Sequence, residues 1–325
     1  MTKTNKARTT GRTTGAAIKW AAIGAAALGA ATLFNRAAAK RAETKYPPIG
    51  DIIHVDGVDI HVVDTGRVAG AETIVLLHGN ASLVQDYLVS GIVDALKSRY
   101  RVILFDRPGY GYTTRPDDRS WTAEAQADLF VKACDTLGVT APIVVGHSWG
   151  TIAALAWALD HPGRVSRLVL LSGYYYPTGR PDAKMLQVAE LPGIKQVFTN
   201  AIAPLQTRLT GPAGIKMVFA PADVSKRFLA DMPFELMLRP VQLCASALDG
   251  AQMPANVDRL SKRYGELALP IALAWGDGDL LVMQDDQSAR FARDVGVTAS
   301  LILPDAGHMI HHIDPDAIVR LIESN

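Results

Sequence analysis

From residue 50 onward, short apolar segments rich in β-branched residues alternate with segments of helical periodicity. The first two, 51–55 and 58–64, flank an Asp56-Gly57 turn, which is typical of a hairpin. Each later strand is followed by a helix, and this alternation predicts an α/β fold with a mostly parallel sheet covered by helices on both faces. The remaining strands are predicted at 73–77, 101–105, 142–145, 165–171, 271–275 and 299–303, and the main helices at 83–96, 121–137, 149–159, 284–294 and 315–323.

One long stretch, 174–269, interrupts the alternation. It is rich in proline, methionine and aromatic residues, and it contains helical segments at 224–232 and 241–248 without a clear strand. We interpret it as a helical cap inserted between two strands, whose methionines and aromatic residues either line a pocket above the sheet or form the core of the cap itself. The predicted organisation is an N-terminal segment 1–45, a core of 46–173 and 270–325, and the cap 174–269.

The N-terminal segment differs in charge from the rest of the chain. Residues 1–45 contain nine Lys or Arg and one Glu, whereas the remainder contains 24 basic and 31 acidic residues. A mildly acidic body argues against nucleic-acid binding. Residues 1–15 are expected to be disordered, and Trp20–Phe34 follows without a charge. As a helix this stretch is about 22 Å long, or about 28 Å from Ala16 if Lys19 snorkels, against the roughly 30 Å of a bilayer core.

We expect this segment to anchor the protein in a bacterial membrane. One alternative is a signal peptide cleaved after Ala37-Ala38-Ala39, with export to the periplasm or secretion, although Arg36 fits a cleavage region poorly. The other is a soluble alanine-rich helix. Basic residues on both sides favour anionic lipid and leave the orientation open. Residues 40–48 are predicted to be a linker in which Pro47-Pro48 stops any helix. With two cysteines, Cys134 and Cys244, the chain has no disulfide framework or cysteine zinc cluster.

The sequence Gly146-His147-Ser148-Trp149-Gly150 stands between a predicted strand and a predicted helix. This is the context in which G-x-S-x-G forms a sharp turn that exposes a nucleophilic serine. The glycines permit close backbone approach, and the N-terminus of the following helix presents free N–H groups to a developing oxyanion. We therefore predict that Ser148 is a nucleophile.

A serine hydroxyl needs a general base, and His308 is the best-placed histidine. It follows strand 299–303 through the turn Pro304-Asp305-Ala306-Gly307, so it should lie at the same edge of the sheet as Ser148. The other histidines considered receive structural roles: His54 and His61 in the hairpin, His161 at a helix end, and His311 and His312 on the surface of the next helix or in local packing.

The base in turn needs a carboxylate to hold its tautomer. Trp275-Gly276-Asp277-Gly278-Asp279 follows strand 271–275, and either aspartate can lie at the strand tip. We prefer Asp279 because Gly278 allows a sharp bend before it. The strand ending at Leu171 is followed by Ser172-Gly173-Tyr174, which supplies no acid there.

An oxyanion hole requires two backbone donors near the serine. The N–H of Trp149, directly after Ser148, is one candidate. The second is expected from the loop after strand 73–77, where His78-Gly79-Asn80 stands, and we select Asn80. The side chain of Asn80 is expected to add a polar contact to the substrate. The alternative is that this segment is an ordinary glycine turn.

These motifs together resemble those of the α/β-hydrolase superfamily over roughly residues 50–325. The resemblance is carried by His78-Gly79-Asn80, the segment Asp106–Gly111, the Ser148 motif, Asp279 and Gly307-His308. It implies an eight-stranded sheet with an inserted cap, and it is strongest toward capped bacterial esterases, epoxide hydrolases and haloalkane dehalogenases. The last two groups use an aspartate nucleophile, so Ser148 disfavours their reactions because a serine alkyl ether would not be hydrolysed. The Asp106–Gly111 segment is interpreted as a structural turn beside the site.

The function expected is that of a carboxylesterase-like serine hydrolase (EC 3.1.1) acting on small to medium apolar esters, without a metal or organic cofactor. Three alternatives remain: hydrolysis of another bond (an amide, an N-terminal proline peptide or a C–C bond), perhydrolysis or acyl transfer, and a ligand-binding sensor with slow turnover. The expected partners are the ester and, through residues 1–45, a membrane, whereas the sequence leaves the oligomeric state open.

Overall fold

A computed structural model describes residues 7–178 and 194–324 of the chain. Its strands are β1 (Asp51–Val55), β2 (Val58–Asp64), β3 (Thr73–Leu77), β4 (Arg101–Phe105), β5 (Ile143–His147), β6 (Arg167–Leu171), β7 (Ile271–Gly276) and β8 (Ala299–Leu303). They form one sheet in the order β1-β2-β4-β3-β5-β6-β7-β8. The β1–β2 and β2–β4 pairs are antiparallel and the other pairs are parallel. The predicted sheet is therefore confirmed.

The bounds of β1 to β4 and of β8 agree with the prediction, whereas β5 is shifted, β6 begins two residues later and β7 ends one residue later. Strand β5 extends through His147 because Gly146 and His147 pair with Leu170 and Leu171 of β6. The shift carries the regular strand to the residue before Ser148. Strands β4 to β7 are buried along their whole length, as expected for strands covered on both faces.

Four helices lie between β3 and β6 and cover the sheet, and two of them are short. In the core they are α2 (Gln85–Ser90), α3 (Ile92–Leu96), α4 (Ala123–Thr136) and α5 (Trp149–Asp160). The helix predicted at 83–96 is broken at Gly91, whose φ of 92° places it in the left-handed region. Its two halves nevertheless pack on the same face of the sheet.

The segment between β6 and β7 contains only helices in its described part. They are α6 (Ile194–Val197), a π-helix (Phe198–Ile202), α7 (Ala203–Phe219), α8 (Lys226–Asp231), α9 (Phe234–Met237), α10 (Pro240–Ser261) and a 3₁₀ turn (Tyr264–Glu266). The predicted segments 224–232 and 241–248 correspond to α8 and to the first part of α10. Residues 179–193 of the predicted cap lie outside the described residues.

After β7 the helix predicted at 284–294 is replaced by three short pieces: a 3₁₀ turn (Gln284–Asp286), α11 (Ser288–Phe291) and a π-helix (Ala292–Gly296). Gln287 separates the first two with a φ of −118° and a ψ of −95°. Its buried side chain accepts the N–H groups of Tyr175 and Tyr176 and so ties this segment to the chain after β6. The chain ends with α12 (Ile310–Ile313) and α13 (Pro315–Glu323), and α13 has the predicted bounds.

The N-terminal segment forms one helix, α1 (Ala7–Lys45). Residues 7–15 and 40–45 are therefore helical, although disorder and a linker were predicted for them; residues 1–6 lie outside the description. The helix ends before Pro47-Pro48, as expected. Its part from Ile18 to Lys45 is, among the described residues, the one helix long and apolar enough to cross a membrane. The linker prediction was wrong because Asn35 and Ala42 are buried against the body of the protein.

Candidate active site

Ser148 stands on a sharp turn between β5 and α5. Its backbone has a φ of 52° and a ψ of −120°, a region that a residue other than glycine adopts only under constraint. The Ser148 N–H donates to the Leu171 carbonyl of β6 at 2.8 Å, and the Thr151 hydroxyl donates to the Ser148 carbonyl at 2.6 Å. The turn is thus held by hydrogen bonds on both sides, and Ser148 lies at the carboxyl edge of the sheet.

Two glycines make this turn possible. A Cβ on Gly146 would lie 2.6 Å from the Gly150 carbonyl oxygen, and a Cβ on Gly150 would collide with the Leu77 carbonyl of β3. These approaches leave no room for a side chain, so the turn requires glycine at both positions. The crowding brings the loop after β3 against the start of α5.

His308 lies in the loop after β8 with its side chain buried beside Asp279. Its Nδ1 is 2.9 Å from Oδ2 of Asp279, and the other carboxylate oxygen accepts the N–H groups of Leu281 and Val282 at 2.8 and 3.0 Å. These bonds fix the carboxylate, which in turn orients the imidazole. Since Nδ1 is engaged, Nε2 is the ring nitrogen left for other partners. Asp277 is exposed, whereas Asp279 is buried against the imidazole, so the structure pairs His308 with Asp279.

The backbone of His308 is held from two directions. Its N–H donates to the Val218 carbonyl at the end of α7, at 2.8 Å, and its carbonyl accepts from Nε2 of His147 at 3.1 Å. The rings of His147 and His308 lie 5.0 Å apart. Burial lowers the pKa of His147 far below its ordinary value, and any charge on His311 or His308 lowers it further, so His147 is neutral and can donate from one nitrogen only.

Asn80 and Trp149 lie on either side of the Ser148 turn. The N–H of Trp149 is at the first position of α5, where an amide has no acceptor within its own helix. The Asn80 side chain is engaged by the protein: Nδ2 donates to the Ser246 carbonyl at 3.1 Å, and Oδ1 accepts from the Tyr110 hydroxyl at 2.5 Å. It therefore helps to hold the loop in place, and because Asn80 also lines the cavity, its expected contact with the substrate stays a prediction.

A buried charge cluster links this loop to the cap. Oδ2 of Asp249, in α10, lies 2.6 Å from Nη1 of Arg107 and 3.0 Å from the Tyr110 hydroxyl oxygen, whose one hydrogen it shares with Asn80. Arg115 approaches Oδ1 of the same carboxylate at 2.9 Å. The Arg107 guanidinium also stacks on the Trp149 ring, with 4.1 Å between its central carbon and the ring centroid. The cluster therefore joins α10, the Asp106–Gly111 segment and the residue after Ser148.

Asp106 has the structural role predicted for its segment. Its buried carboxylate accepts the N–H groups of Val84 and Tyr112 and lies 2.6 Å from Nδ1 of His61. Burial opposes the charge of this carboxylate, but the hydrogen bond and charge of His61 outweigh it and lower the pKa of Asp106. Asp106 faces these residues and not the cavity that holds Ser148.

A second buried cluster consists of Asp86, His311 and His312. Nε2 of His312 lies 2.7 Å from Oδ1 of Asp86, and Nε2 of His311 lies 3.2 Å from the same oxygen. Burial raises the pKa of Asp86, but the two histidines outweigh it and the pKa ends well below its ordinary value. The three ligand atoms lie within 4.8 Å of one another, a spacing that one cation can bridge. In the structure Asp86 and His312 are hydrogen-bonded directly.

Ser148, His308 and Asn80 line one cavity of about 1050 Å³ between the sheet edge and the insertion. Its volume is at the upper end of the range for small-molecule sites. Most of the remaining wall is apolar and comes from α7, α8 and the residues that follow, such as Ile215, Phe228 and Met232. The methionines and aromatic residues of the insertion thus both line the cavity and pack together as a small core around Phe219 and Phe228.

Comparison with known proteins identifies the family to which this fold belongs. A sequence profile of the α/β hydrolase fold matches residues 72–315, which is three quarters of the chain. The chain belongs to the α/β-hydrolase family. Helix α1 and strands β1 and β2 precede the matched region.

The relatives of this α/β-hydrolase carry out different reactions. It is 28% identical over 299 residues to a cis-3-alkyl-4-alkyloxetan-2-one decarboxylase of Xanthomonas campestris, covering 83% of this chain and 94% of the relative. It is 25% identical to a 2-hydroxy-6-oxononadienedioate/2-hydroxy-6-oxononatrienedioate hydrolase of Klebsiella pneumoniae, covering 81% and 89%. Among solved structures, an α/β hydrolase fold protein from Burkholderia ambifaria superposes with a TM-score of 0.70 at 23% identity, covering 83% and 96%.

Two features of this α/β-hydrolase were missed by the sequence analysis. His311 and His312 are buried on Asp86, which agrees with the expected packing role and not with the surface alternative, but the partner itself was not predicted, and Asp249 was not singled out at all. In both cases the partner is remote in sequence: 226 positions separate Asp86 from His312, and 142 separate Arg107 from Asp249. A histidine pair after His308 and an aspartate within an apolar helix were the only local signals.

Proposed function

We propose that this α/β-hydrolase is a serine hydrolase that cleaves carboxylic esters through Ser148, His308 and Asp279. The observation that carries the proposal is the arrangement at one sheet edge. A serine on a constrained strand-to-helix turn opens into the same cavity as a histidine whose Nδ1 is fixed by a buried aspartate. This is the combination that acyl transfer through a covalent intermediate requires.

In the first step Nε2 of His308 accepts the hydroxyl proton of Ser148 while the oxygen attacks the ester carbonyl. Asp279 stabilises the imidazolium that forms. The negative charge on the carbonyl oxygen is held by the N–H groups of Trp149 and Asn80, with the positive end of α5 directed at it. Collapse of the tetrahedral intermediate releases the alcohol, which takes the proton from His308.

In the second step a water molecule replaces the alcohol. His308 accepts a proton from this water, whose oxygen attacks the acyl-enzyme carbonyl, and the same two N–H groups hold the second oxyanion. His308 then returns the proton to Ser148, and the carboxylic acid leaves. The serine, the two donors and the histidine are used twice, as microscopic reversibility requires.

The cavity wall supports an apolar acyl or alcohol group of small to medium size, because burying such groups is the main favourable contribution that this surface offers. The Xanthomonas relative is named for an oxetan-2-one, which is a cyclic ester. A ring of this kind presents a carbonyl that a serine can attack in the same way.

The test is hydrolysis of p-nitrophenyl esters of increasing acyl length by the full chain in mild detergent, with Ser148→Ala alongside. We expect turnover by the unchanged protein, a loss of several orders of magnitude in kcat for the variant, and fluorophosphonate labelling of the unchanged protein only. Ester turnover that survives Ser148→Ala would contradict the proposal. Labelling of Ser148 without turnover of any ester would favour the slow ligand-binding alternative.

A second candidate is C–C bond hydrolysis on the same residues, favoured by the similarity to the Klebsiella hydrolase. The name of that relative's substrates denotes dicarboxylates, and binding these requires cations in the cavity. Lys216, Lys226 and Arg208 line the cavity, but the two lysines are exposed and Arg208 is already paired with Glu235 at 2.8 Å. Turnover of an oxo-dienedioate in preference to p-nitrophenyl esters would select this candidate.

We also propose that α1 anchors the protein in the bacterial membrane and is not removed as a signal peptide. The support is that its last turns are part of the folded body: Asn35 and Ala42 are buried, and the buried Arg239 pairs with Glu43 at 2.9 Å. Cleavage after Ala39 would detach Asn35 from its partners. The intact mass of the protein extracted from membranes distinguishes an uncleaved chain from one that begins at Lys40.

A further inference from the structure

The end of the apolar stretch of α1 lies against the start of α7. The buried Asn35 side chain donates to the carbonyls of Asn200 and Ala201 at 2.8 and 3.2 Å. Arg208 of α7 donates to Oδ1 of Asn35 at 3.1 Å, and its guanidinium lies 5.5 Å from the centre of the Phe34 ring. If α1 spans a bilayer up to Phe34, the first turns of α7 therefore lie at the bilayer surface.

Helix α7 has two different faces. The residues at 207, 208, 211, 212, 215 and 216 line the cavity. Beside them, one row further round the helix, Leu205 and Leu209 are exposed, Leu209 to 84%, and Ile202 precedes them at 42% exposure. We call Ile202, Leu205 and Leu209 the outer α7 face. Three large aliphatic side chains within two turns are an exposed apolar patch of the kind that marks a contact with a partner or a membrane.

The charge of the surrounding segment favours an anionic bilayer. From residue 194 to residue 222 the chain contains Lys195, Arg208 and Lys216 but no aspartate or glutamate. Arg208 pairs with Glu235 at 2.8 Å, which offsets its charge, so the excess positive charge of this segment comes from Lys195 and Lys216. Basic residues beside an apolar helix face are attracted by anionic headgroups while the apolar side chains enter the acyl boundary. The basic residues that flank the apolar stretch of α1 have the same preference.

The cavity opens beside this face. Met217 of α7 and Leu229 of α8 both line the cavity, yet they are 49% and 54% exposed, so they form part of its rim. Because the apolar rim adjoins an apolar outer surface, a hydrophobic chain could pass from a bilayer into the cavity without contacting water. A rim built for solutes from water would not need large exposed aliphatic side chains.

We propose that the outer α7 face rests in the anionic bilayer to which α1 is anchored, and that the substrate enters the cavity from that bilayer. The substrate class is an ester that resides in the membrane, with at least one acyl chain long enough to remain there until its carbonyl reaches Ser148. The identity of the bond depends on the proposed function, whereas the contact of the α7 face with lipid does not.

The contact is tested first by a readout that needs no activity. In a Cys244→Ser background, which leaves only the buried Cys134, Leu209→Cys carries an NBD fluorophore. The control is Glu72→Cys. Glu72 is exposed and directly precedes β3, so it lies at the amino ends of the parallel strands, whereas Ser148 lies at their carboxyl ends. The full chain is placed in vesicles of phosphatidylcholine and phosphatidylglycerol. We expect blue-shifted fluorescence at 209 that brominated lipids quench, and unshifted, unquenched fluorescence at 72.

Two results would overturn the contact. Equal, water-like fluorescence at both positions would show that the face is free in solution. A blue shift at 209 without quenching by brominated lipids, together with crosslinking between two labelled chains, would show that a second copy covers it instead of lipid.

The entry route is tested by Leu209→Asp, with Ile302→Asp on the edge strand β8, also an exposed aliphatic residue at 54%, as the matched control. We expect Leu209→Asp to lower hydrolysis of a diacylglycerolipid in the vesicles about tenfold, because burial of a leucine side chain is worth at least that factor. Hydrolysis of p-nitrophenyl butyrate should stay within about twofold, and Ile302→Asp should change neither rate.

The outcomes separate the two proposals. If the unchanged protein hydrolyses the soluble ester but not the vesicle lipid, or if Leu209→Asp lowers both rates equally, entry from the bilayer is wrong and the esterase function stands. If neither ester is hydrolysed while the label at 209 is quenched by lipid, the esterase function is wrong and the membrane contact stands.

Discussion

Removing the charge of the buried Asp249 carboxylate is expected to lower the unfolding free energy strongly. It faces the fully buried Arg107 at 2.6 Å, Arg115 at 2.9 Å and the Tyr110 hydroxyl at 3.0 Å. Asp249→Asn keeps the volume and removes the charge, which leaves the Arg107 guanidinium buried without an anion. Removing one partner of such a pair costs about 3–5 kcal/mol of unfolding free energy, a large part of the about 5–15 kcal/mol that a domain has in total.

The matched control is Asp258→Asn on the same helix, α10. Asp258 pairs with Lys262 at 2.7 Å, but both side chains are more than half exposed, so we expect a loss below about 1 kcal/mol. The assay is urea unfolding of the full chain in detergent, followed by tryptophan fluorescence. Losses of equal size for the two variants would refute the reasoning, because they would mean that the charge of Asp249 is not balancing a buried cation.

The same substitution should also affect the reaction. The Tyr110 hydroxyl bridges Asp249 and Asn80, so Asp249→Asn loosens the loop that we propose to hold the oxyanion. We expect a lower kcat at an unchanged KM. A change in KM alone would indicate that the cluster shapes the cavity and does not position the oxyanion donors.

Further predictions concern the acid, the pH and the glycine turn. Asp279→Asn should lower kcat about 10⁴-fold, whereas Asp277→Asn should leave it within about twofold; equal effects in the ester assay would contradict the pairing of His308 with Asp279. Burial lowers the pKa of His78 to about 4, so the folded protein keeps it neutral while the unfolded chain takes up a proton below about pH 6.5. The contribution of neutral His78 to the unfolding free energy is therefore fully present above about pH 6.5 and is lost as the pH drops toward about 4, a decrease of about 3 kcal/mol. Equal thermal midpoints at the two ends of this pH range would contradict the prediction. Gly150→Ala should lower the unfolding free energy by about 1–3 kcal/mol or more because its Cβ meets the Leu77 carbonyl, whereas Gly214→Ala in α7, where nothing lies within 4 Å, should be neutral or stabilising; similar midpoints in urea would exclude steric crowding as the reason for Gly150.

The sequence pattern was sufficient to predict those elements whose structure depends on their own residues. The opening hairpin, strands β3 and β4 and the terminal helix α13 follow from residues that are adjacent in sequence, namely a turn pair, apolar runs and a proline at a helix start. The position of Ser148 followed as well, since the motif and its flanking strand and helix are contiguous. Parallel strands then bring their carboxyl ends to one edge, which places Asp279 and His308 there without further information.

Long-range contacts account for what was missed. The linker assignment of 40–45 failed because the pairing of Glu43 with Arg239 and the burial of Ala42 depend on the insertion, which lies about 200 positions later. The hydrogen bonds of the Asn80 side chain could not be predicted for the same reason, since its partners Ser246 and Tyr110 come from other parts of the chain. Residue type and spacing do not reveal contacts with partners this distant in sequence.

The hydrogen bond from the His308 amide to the Val218 carbonyl has a consequence for how enzymes of this kind diversify. An insertion that only covered the site could be exchanged between paralogous proteins by recombination, and the substrate specificity would change with it. Here the insertion supplies the acceptor that holds the histidine loop, and through Asp249 it supplies the anion that balances Arg107. A chimera with a foreign insertion would lose both at once. New substrate ranges in this lineage are therefore expected to arise by point substitution within the insertion, with Asp249 left in place and the backbone at position 218 kept in its path.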